Sequence, residues 1–357
     1  MQQYNRLVAK GLAELATSMR FRLQVLSLHD QGQSNETYLP QPYFTAYGSK
    51  KWRFAWEAFA AVDDADLVLV SHINLWPLVK LARLAGASAK FVLLTHGVEV
   101  WPPLSGPKRF GLAAFDRMVT VSQFTKEQLI SLGVDSKKIS LVPNAIDPFK
   151  HSNPDAIGLQ QRLRIDWRSP MLLTVARVAP SEIEKGFYRV MELMPRLLER
   201  HPDLQYIIAG PVAPGMAAAI KQKADNLGLA NRVLLTGQLT DGQLAACFEK
   251  AAVFVMPSTK EGFGIVYLEA AMHGLPVVGL RSGGAPEAIP PPPSGWLAEP
   301  NQSESLFFAV QGALNEAAKG EAARNERRMS NTERIEHIFS FTALKTKLEQ
   351  LIRSGRT

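Results

Sequence analysis

The chain has 357 residues, which is too long for one ordinary hydrophobic core and indicates two domains. Hydrophobic residues make up 46% of the sequence and charged residues 20%, which is typical of a globular protein and excludes a disordered chain. The net charge of +7 favours anionic partners, that is, nucleotides, nucleic acid or an anionic lipid surface, but no stacking or basic-helix motif supports nucleic-acid binding.

The N-terminal segment, residues 1–24, has the pattern of an amphipathic helix and lacks the apolar centre and cleavage site of a signal peptide. Residues 47–56, YGSKKWRFAW, then combine basic and aromatic side chains. Two interpretations of this cluster stay open, a helix start with a solvated basic face and a contact with a membrane surface or an anionic acceptor. The single cysteine, Cys247, excludes an internal disulfide, suits a reducing cytoplasm and is predicted to be a packed thiol.

Apolar runs typical of buried strands alternate with helical patterns along the chain. Strands are predicted at residues 22–28, 65–71, 90–97, 117–122, 139–144, 171–178, 205–211, 232–237, 253–258 and 276–280. Helices are predicted between them at residues 51–62, 77–86, 123–132, 186–200, 214–227 and 264–273, and the last ~18 residues read as an amphipathic helix. This order predicts parallel sheets covered on both faces. The polar stretch 148–169 interrupts it, so we expect two doubly wound α/β domains facing a cleft, with the ligand outside the carboxyl ends of the strands.

The most informative segment, residues 258–284, carries two glutamates with seven residues between them. A helix is predicted to begin near Gly264, and Gly262 and Gly264 let the backbone approach a ligand at its positive end, as in phosphate pockets. Glu261 would accept hydrogen bonds from hydroxyls at one end of the ligand, and Glu269 from a vicinal diol such as ribose. A diphosphate flanked by two polyols is a nucleotide-sugar. An ordinary loop-to-helix start with acidic residues is the alternative.

A diphosphate also needs cations, and Arg177 lies at the end of a predicted strand of the second domain with Lys185 in the loop after it. In the first domain His96 comes just after a strand. No DxD motif follows a strand, because the aspartates at 63–66 precede one, so neither a metal nor a cofactor is expected. Other strand-end polar residues have both structural and ligand-contacting interpretations; they are His72, Asn74, Asn144 and Asp147.

These motifs resemble those of the retaining glycosyltransferases of family 4, which have the two-Rossmann GT-B fold. The similar segments, in chain order, are YNRLVAKGLAEL, THGVEVW, VTVSQFTKEQLISLGV, KISLVPNAID, LLTVARVAPSEIEKGF, YIIAGP, VLLTGQL, VFVMPSTKEGFGIVYLEAAMHGLPVVGLRSGG and FSF. The resemblance implies a first Rossmann-like domain at 1–150, a linker at 151–169, a nucleotide-sugar-binding domain at 170–338 and a last helix at 339–357 that packs back on the first domain. It also implies two sets of site residues. The catalytic set is His96, Arg177, Lys185 and Glu261; the donor-binding set is Gly237, Leu239, Gly262, Phe263, Gly264, Ile265 and Glu269.

The sequence departs from the family pattern in three places. The family opens with a strand and a glycine-rich loop before its first helix, whereas this chain starts at that helix; a truncated start is the hypothesis, and a lost element is the alternative. A proline run at 290–293 replaces a glycine-bearing loop. Arg177 and Lys185 are also more widely spaced than in many members.

The resemblance implies a retaining, metal-independent transfer of a sugar from a UDP- or GDP-sugar to a hydroxyl of a glycan or lipid-linked acceptor. Bacterial envelope or exopolysaccharide synthesis, in the cytoplasm or peripherally at the inner membrane face, is the expected setting. The alternatives are a catalytically degenerate nucleotide-sugar-binding subunit and a nucleotide-sugar epimerase of the same fold.

Overall fold

A computed structural model describes residues 2–150, 153–163, 165 and 167–355. The described chain is an α/β protein that divides into two compact units, residues 1–149 with 337–357 and residues 150–336. Every pairing between its strands is parallel. Among the residues that the structure describes, no helix is long and apolar enough to cross a membrane.

The strands are short, as is usual for sheets that alternate with helices. They are β1 (Val25–Ser27), β2 (Phe44–Ala46), β3 (Leu67–Val70), β4 (Lys90–Thr95), β5 (Arg117–Thr120), β6 (Ile139–Leu141), β7 (Met171–Val175), β8 (Gln205–Ala209), β9 (Val233–Leu235), β10 (Val253–Val255), β11 (Val277–Leu280) and β12 (Gly295–Ala298). The helices are α1 (Gln2–Met19), α2 (Lys51–Val62), α3 (Trp76–Leu84), α4 (Gly106–Leu112), α5 (Gln123–Ser131), α6 (Ala156–Leu163), α7 (Phe187–Leu198), α8 (Met216–Asn226), α9 (Asp241–Lys250), α10 (Ile265–Met272), α11 (Ala285–Ala288), α12 (Ser303–Ala317), α13 (Glu321–Phe339) and α14 (Phe341–Gly355).

The first unit contains a four-stranded sheet in the order β3-β4-β5-β6 and a two-stranded sheet of β1 and β2. Residues 91–95 of β4 are all buried, which is typical of a parallel strand covered on both faces. Phe91 and Leu93 belong to the core with Val79 of α3 and Met118 of β5. The last helix, α14, packs against α1, so both ends of the described chain lie in this unit.

The second unit is built on a six-stranded sheet in the order β12-β11-β10-β7-β8-β9. The chain runs from β7 outward through β8 to β9, and then returns to β10 on the other side of β7. Its core includes Phe187 and Met194 of α7 and Phe307 of α12, all at most 2% exposed. The chain therefore adds strands first on one side of β7 and then on the other. The carboxyl ends of β7 and β10 form the topological switch point, where open α/β sheets bind ligands.

The second half of the chain contains helices that the sequence patterns did not predict. α12 buries eight residues around a broad arc, so it has no narrow apolar stripe to recognise. α13 is highly polar, and its Arg324 donates hydrogen bonds to the carbonyl oxygens of Phe248, Ala251 and His273. These carbonyls lie at the C-terminal ends of α9 and α10, so α13 depends on tertiary contacts that a local pattern does not show.

Two smaller predictions concern buried side chains. The helical pattern at 264–273 predicts a buried stripe of Ile265, Leu268 and Met272. This prediction is partly wrong, since Leu268 is buried but Ile265 and Met272 are only half-buried. The helix instead buries Tyr267, Leu268, Ala270 and Ala271, and it packs against β11 and α11. Cys247 is a buried thiol, as predicted, and burial raises its pKa to about 12.

Candidate functional site

A partly buried ion pair lies at the switch point of the second sheet. Lys185 follows β7 and Glu261 follows β10, and these strands are neighbours. Lys185 Nζ donates to Glu261 Oε2 over 2.7 Å, and the two side chains are only 23% and 13% exposed. The structure therefore brings together two predicted site residues that lie 76 positions apart.

Lys185 ends a short 3-10 segment, Pro180–Lys185, and Gly186 then turns the chain into α7 with φ of 84°. A Cβ at Gly186 would lie 2.3 Å from the carbonyl oxygen of Pro257. Arg189, on α7, donates to the same carbonyl over 3.3 Å. Only glycine permits both this positive φ and this close approach to Pro257. Gly186 therefore holds Lys185 against the loop that follows β10.

The loop that carries Glu261 is held on both sides. Thr259 N donates to Glu184 O over 2.9 Å, and the Thr259 hydroxyl donates to the Glu184 carboxylate, which lowers the pKa of that carboxylate. On the other side, Gly284 N donates to Glu261 O over 2.7 Å, and Ser282 Oγ donates to Thr259 O over 2.9 Å. Loops after β7, β10 and β11 thus form one hydrogen-bonded layer.

The start of α10 lies directly after Glu261. Gly264 occupies its N-cap position with φ of 89°, and a glycine has no side chain with which to cap the first turn. The first amides of a helix have no partner within the helix, and together with the helix dipole they give this position a positive potential. Tyr267 ties α10 to the end of β10, because its hydroxyl donates to Met256 O over 2.6 Å. The phenol is fully buried, which raises its pKa.

The remaining predicted residues of the second unit follow other strands of the same sheet or lie further along α10. Glu269 is half-buried on α10, and Arg177 is exposed two residues after β7. Gly237 and Leu239 follow β9, the edge strand, which β8 separates from β7. Gly210, after β8, donates its N–H to Gly237 O over 3.2 Å and so links the intervening loops.

Gly262, Phe263, Gly264 and Ile265 form the turn into α10. Phe263 is buried, at 2% exposed, so only its backbone is suited to a ligand contact. Gly284 packs closely against Gly262. A Cβ added to Gly284 would lie 2.2 Å from the carbonyl oxygen of Gly262. The path of this turn therefore depends on a glycine more than twenty residues further along the chain.

His96 belongs to the first unit and follows β4. Its Nε2 lies 3.1 Å from Ser71 O, so the neutral ring carries its proton on Nε2 and a lone pair on Nδ1. Burial lowers the pKa of His96 to about 4, although the charge of Glu99 acts in the opposite direction. Glu99 also accepts the His96 backbone N–H at 2.5 Å, and the Tyr4 ring meets the imidazole edge-on at 5.6 Å. His96 is thus a rigid, neutral imidazole at neutral pH.

The lesser candidates of the first unit are engaged in local structure. His72 Nδ1 accepts the Asn74 N–H over 3.1 Å and caps a 3-10 turn, and burial lowers the pKa of His72. Asp147 accepts from Phe149 N over 2.9 Å and from the Tyr38 hydroxyl over 2.5 Å. The Asn144 Oδ1 is buried and has no hydrogen-bond partner among the described residues.

Two positioning residues escaped the sequence analysis, Glu184 and Gly186. Gly186 had a local signal, because a glycine at the predicted start of the helix at 186–200 suits a backbone turn with positive φ. Glu184 had none, since its role depends on Thr259, which is 75 residues away. Among the described residues, no group of three or more His, Cys, Asp or Glu side chains is arranged to hold a metal ion.

Comparisons with known proteins match both units. The family model described as Glycosyltransferase Family 4 matches residues 3–149, and the one described as Glycosyl transferases group 1 matches residues 159–332. The chain is 32% identical over 263 residues to the GDP-mannose-dependent alpha-(1-6)-phosphatidylinositol monomannoside mannosyltransferase of Mycolicibacterium smegmatis, covering 69% of this chain and 67% of that protein.

The chain belongs to the family 4 glycosyltransferases. This glycosyltransferase is also 29% identical to the GDP-mannose-dependent monoacylated alpha-(1-6)-phosphatidylinositol monomannoside mannosyltransferase of Corynebacterium glutamicum, over 76% of this chain and 72% of that protein. Among solved structures, Anabaena Alr3699/HepE in complex with UDP and glucose matches with a TM-score of 0.76 at 19% identity, over 98% of this chain and 96% of that one. A glycosyltransferase from Rickettsia africae matches with a TM-score of 0.77 at 17% identity, over 99% and 94%. The predicted α/β fold of GT-B type is thereby confirmed.

Proposed function

We propose that this glycosyltransferase moves a hexose from a nucleoside-diphosphate sugar to a hydroxyl acceptor with retention of anomeric configuration and without a metal ion. The observation that carries the proposal is the Lys185–Glu261 ion pair, which lies at the switch point between β7 and β10 and directly before the uncapped start of α10. A cation, a carboxylate and a helix N-terminus at one sheet edge suit a diphosphate joined to a sugar.

The charges at this sheet edge support separate roles for the cations, which would bind phosphate, and for the glutamates, which would bind hydroxyls. Glu261 neutralises part of the Lys185 charge, so the diphosphate also needs Arg177 and the amides of residues 262–264. Lys185 Nζ donates one of its three protons to Glu261 Oε2, and the others can reach phosphate oxygens. Glu261 keeps its Oε1 for a sugar hydroxyl, and Glu269, further along α10, would take the ribose diol.

The proposed reaction breaks the bond between the anomeric carbon and the donor phosphate oxygen, and the electron pair stays on the nucleoside diphosphate. The acceptor hydroxyl oxygen forms its bond to the same face of the sugar, and its proton passes to the departing phosphate. Negative charge grows on the diphosphate in the transition state, so Arg177, Lys185 and the amides stabilise that state more than the bound donor. Each well-placed donor contributes about 3 kcal/mol in such sites.

His96 is proposed to contact the donor sugar, as the family resemblance implies. Because it is neutral and its Nε2 is directed at Ser71 O, Nδ1 would accept a hydrogen bond from a sugar hydroxyl. Gly237 and Leu239 are proposed to border the base.

The names of the relatives supply the first substrates to test. They are GDP-mannose-dependent enzymes acting on phosphatidylinositol mannosides, so GDP-mannose is the first donor and a lipid-linked glycan the first acceptor class. UDP-glucose is the comparison donor. A polysaccharide acceptor, in envelope or exopolysaccharide synthesis at the cytoplasmic membrane face, is the other member of the proposed acceptor class.

The test separates binding from turnover at two residues. Lys185→Ala removes a cation that acts on the leaving group, so kcat should fall by ~100-fold while the donor Kd changes much less. Glu269→Ala removes a hydrogen-bond acceptor for the donor, so the donor Kd should rise about tenfold. Titration calorimetry with the donor and a product assay under saturating donor measure the two quantities.

The matched control is Lys260→Ala, because Lys260 precedes Glu261 in the same loop but its side chain is 63% exposed and pairs with Glu184 only at 3.7 Å. In this control variant, kcat and the donor Kd should both stay within about twofold of the parent values. Unchanged kcat in Lys185→Ala, with unchanged donor affinity in Glu269→Ala, contradicts the proposed site. Donor binding with no transfer to any acceptor would instead indicate a binding subunit.

A further inference from the structure

Two tryptophan side chains on α2 are almost fully exposed. Trp52 is 90% exposed and Trp56 75%, and their spacing of four residues places them on one face of the helix. Phe54, between them, is buried and holds the opposite face on the first unit. The free-energy cost of leaving two large apolar rings in water grows with the apolar area that they expose. The pair therefore marks an interaction surface.

The next two helices also expose large apolar side chains. α2 packs against α3, and α3 packs against α4. Leu81 and Leu84 of α3 are 52% and 77% exposed, and Phe110 of α4 is 63% exposed. Lys80 Nζ lies 4.2 Å above the Phe110 ring, which joins α3 and α4 at the surface. We call these five apolar side chains with their three helices the α2–α4 face.

The α2–α4 face is strongly basic. The three helices contain six basic residues and one acidic residue, Glu57, which is already paired with Arg53 at 2.9 Å. The basic residues are Lys51, Arg53, Lys80, Arg83, Lys108 and Arg109. Arg53 and Arg83 are thus paired, the latter with Asp116, and the free positive charge comes from the other four, Lys51, Lys80, Lys108 and Arg109. Exposed aromatic rings among unpaired cations are the pattern of a surface that enters the headgroup region of an anionic bilayer.

We propose that the α2–α4 face docks the enzyme on anionic phospholipid, with Trp52 and Trp56 inserted at the headgroup level and the surrounding lysines and arginines on lipid phosphates. The indole rings suit this depth because they combine an apolar body with a polar N–H. The inference goes beyond the proposed reaction, since it concerns residues that take no part in binding the donor.

A lipid surface explains this face better than the other anionic partners do. Nucleic acid would need base-stacking rings within a basic groove, but these rings stand on a convex helix surface. A second copy of the chain would bring the same cations together, which is unfavourable. Self-association through the tryptophans is therefore the outcome that the experiment must separate.

The experiment compares the full chain with the double variant Trp52→Ala/Trp56→Ala in vesicle flotation. Vesicles of phosphatidylcholine alone are compared with vesicles that also contain phosphatidylglycerol. The parent protein should bind the anionic vesicles, its tryptophan emission should shift to shorter wavelength, and added salt should weaken binding. The double variant should bind at least tenfold more weakly, because it loses both inserted rings.

Charge is tested independently of the rings. Lys51→Gln/Lys108→Gln should weaken binding by about tenfold or more, because each cation near an anionic surface contributes about 1 kcal/mol. The matched controls are Met329→Ala, 68% exposed in the second unit, and Lys221→Gln, exposed there as well; both should bind like the parent. Donor affinity in all variants should equal that of the parent, so a failure of the docking proposal is distinguishable from a failure of the proposed reaction.

Three results overturn the proposal. One is equal vesicle binding by the parent and the double tryptophan variant. Another is binding that does not distinguish anionic from neutral vesicles. The third is a dimer in analytical ultracentrifugation that only the tryptophan substitutions dissolve, which would assign the face to self-association.

Discussion

His96 shows how burial can outweigh a nearby charge in setting the protonation state of one residue. Its Nε2 proton is directed at Ser71 O, Tyr4 covers one edge, and Glu99 is the nearest opposing charge. The cost of desolvation exceeds the attraction of Glu99 and lowers the pKa to about 4. The residue can therefore serve as a neutral hydrogen-bonding group at physiological pH, whereas it is unsuited to act as a cation.

This protonation state predicts a pH dependence of stability. Above the usual pKa of 6.5, His96 is neutral in both the folded and the unfolded chain. As the pH falls from ~6.5 to ~4, only the unfolded chain binds the proton, so unfolding becomes easier by up to ~3 kcal/mol. Tryptophan fluorescence during urea unfolding measures this, because the half-buried Trp76 and Trp101 belong to the first unit.

His96→Asn keeps a donor toward Ser71 O but cannot titrate. The decrease in unfolding midpoint between pH ~7 and ~5 should be smaller in this variant than in the parent. Identical decreases in the two proteins would mean that other groups carry the acid sensitivity. His72, whose pKa burial also lowers, is the first alternative.

Loops rather than regular elements shape the candidate site, and close backbone approaches fix them. The loop after β11 passes over the turn into α10 so closely that Gly284 leaves no room for a Cβ beside Gly262 O, at 2.2 Å, and Phe263 Cα, at 3.0 Å. Gly284 N also donates to Glu261 O. The conformation of Glu261 is thereby coupled to a glycine of a neighbouring loop.

Gly284→Ala should displace the turn at 262–264 and weaken donor binding by tenfold or more, while the unit stays folded. The φ of −83° suits alanine, so the effect comes from the contact and not from backbone strain. Titration calorimetry with the donor measures the affinity, and circular dichroism checks the fold.

Gly106→Ala is the control, because a Cβ there meets no atom within 4 Å. It should bind the donor like the parent. Unimpaired donor binding by Gly284→Ala would show that the loop accommodates the methyl group and that the turn at 262–264 does not depend on it.

At the scale of the molecule, the end of the chain completes the unit in which it began. α14 packs on α1, and a Cβ at Gly11 would lie 3.0 Å from Leu348 Cδ1, so the two helices approach closely. Leu7 and Leu348 are both 0% exposed. The stability of the first unit therefore depends on residues more than 300 positions from its start, while the second unit is continuous in sequence.

Leu348→Ala should destabilise the first unit by about 2–5 kcal/mol, because it leaves a cavity between α1 and α14. Hydrogen exchange resolves the two units: amides of β4 should exchange faster and those of β8 should not change. Lys347→Ala, exposed on the same helix, is the control and should change stability by less than about 0.5 kcal/mol. Equal acceleration in both units, or in neither, contradicts this assignment.

Most of the regular elements could be predicted because their signals are local. The pattern at 51–62 gave α2 with the bounds that the structure shows, and the alternating order indicated parallel sheets. Hydrophobic periodicity failed for α12, which is enclosed on many sides, and for α13, which Arg324 and Arg327 secure to distant carbonyls. Those elements are selected by packing rather than by their own periodicity.

The sequence by itself determined the chemistry available at the site, namely two glutamates, two cations and glycines at a helix start, since residue type and spacing fix charge and backbone freedom. The tertiary structure decided which of these groups meet. Lys185 pairs with Glu261 because a strand order that no local pattern encodes places β7 beside β10. It also decided that Trp52 and Trp56 face solvent while Phe54 does not, because burial is a property of what packs against a residue and not of the residue itself.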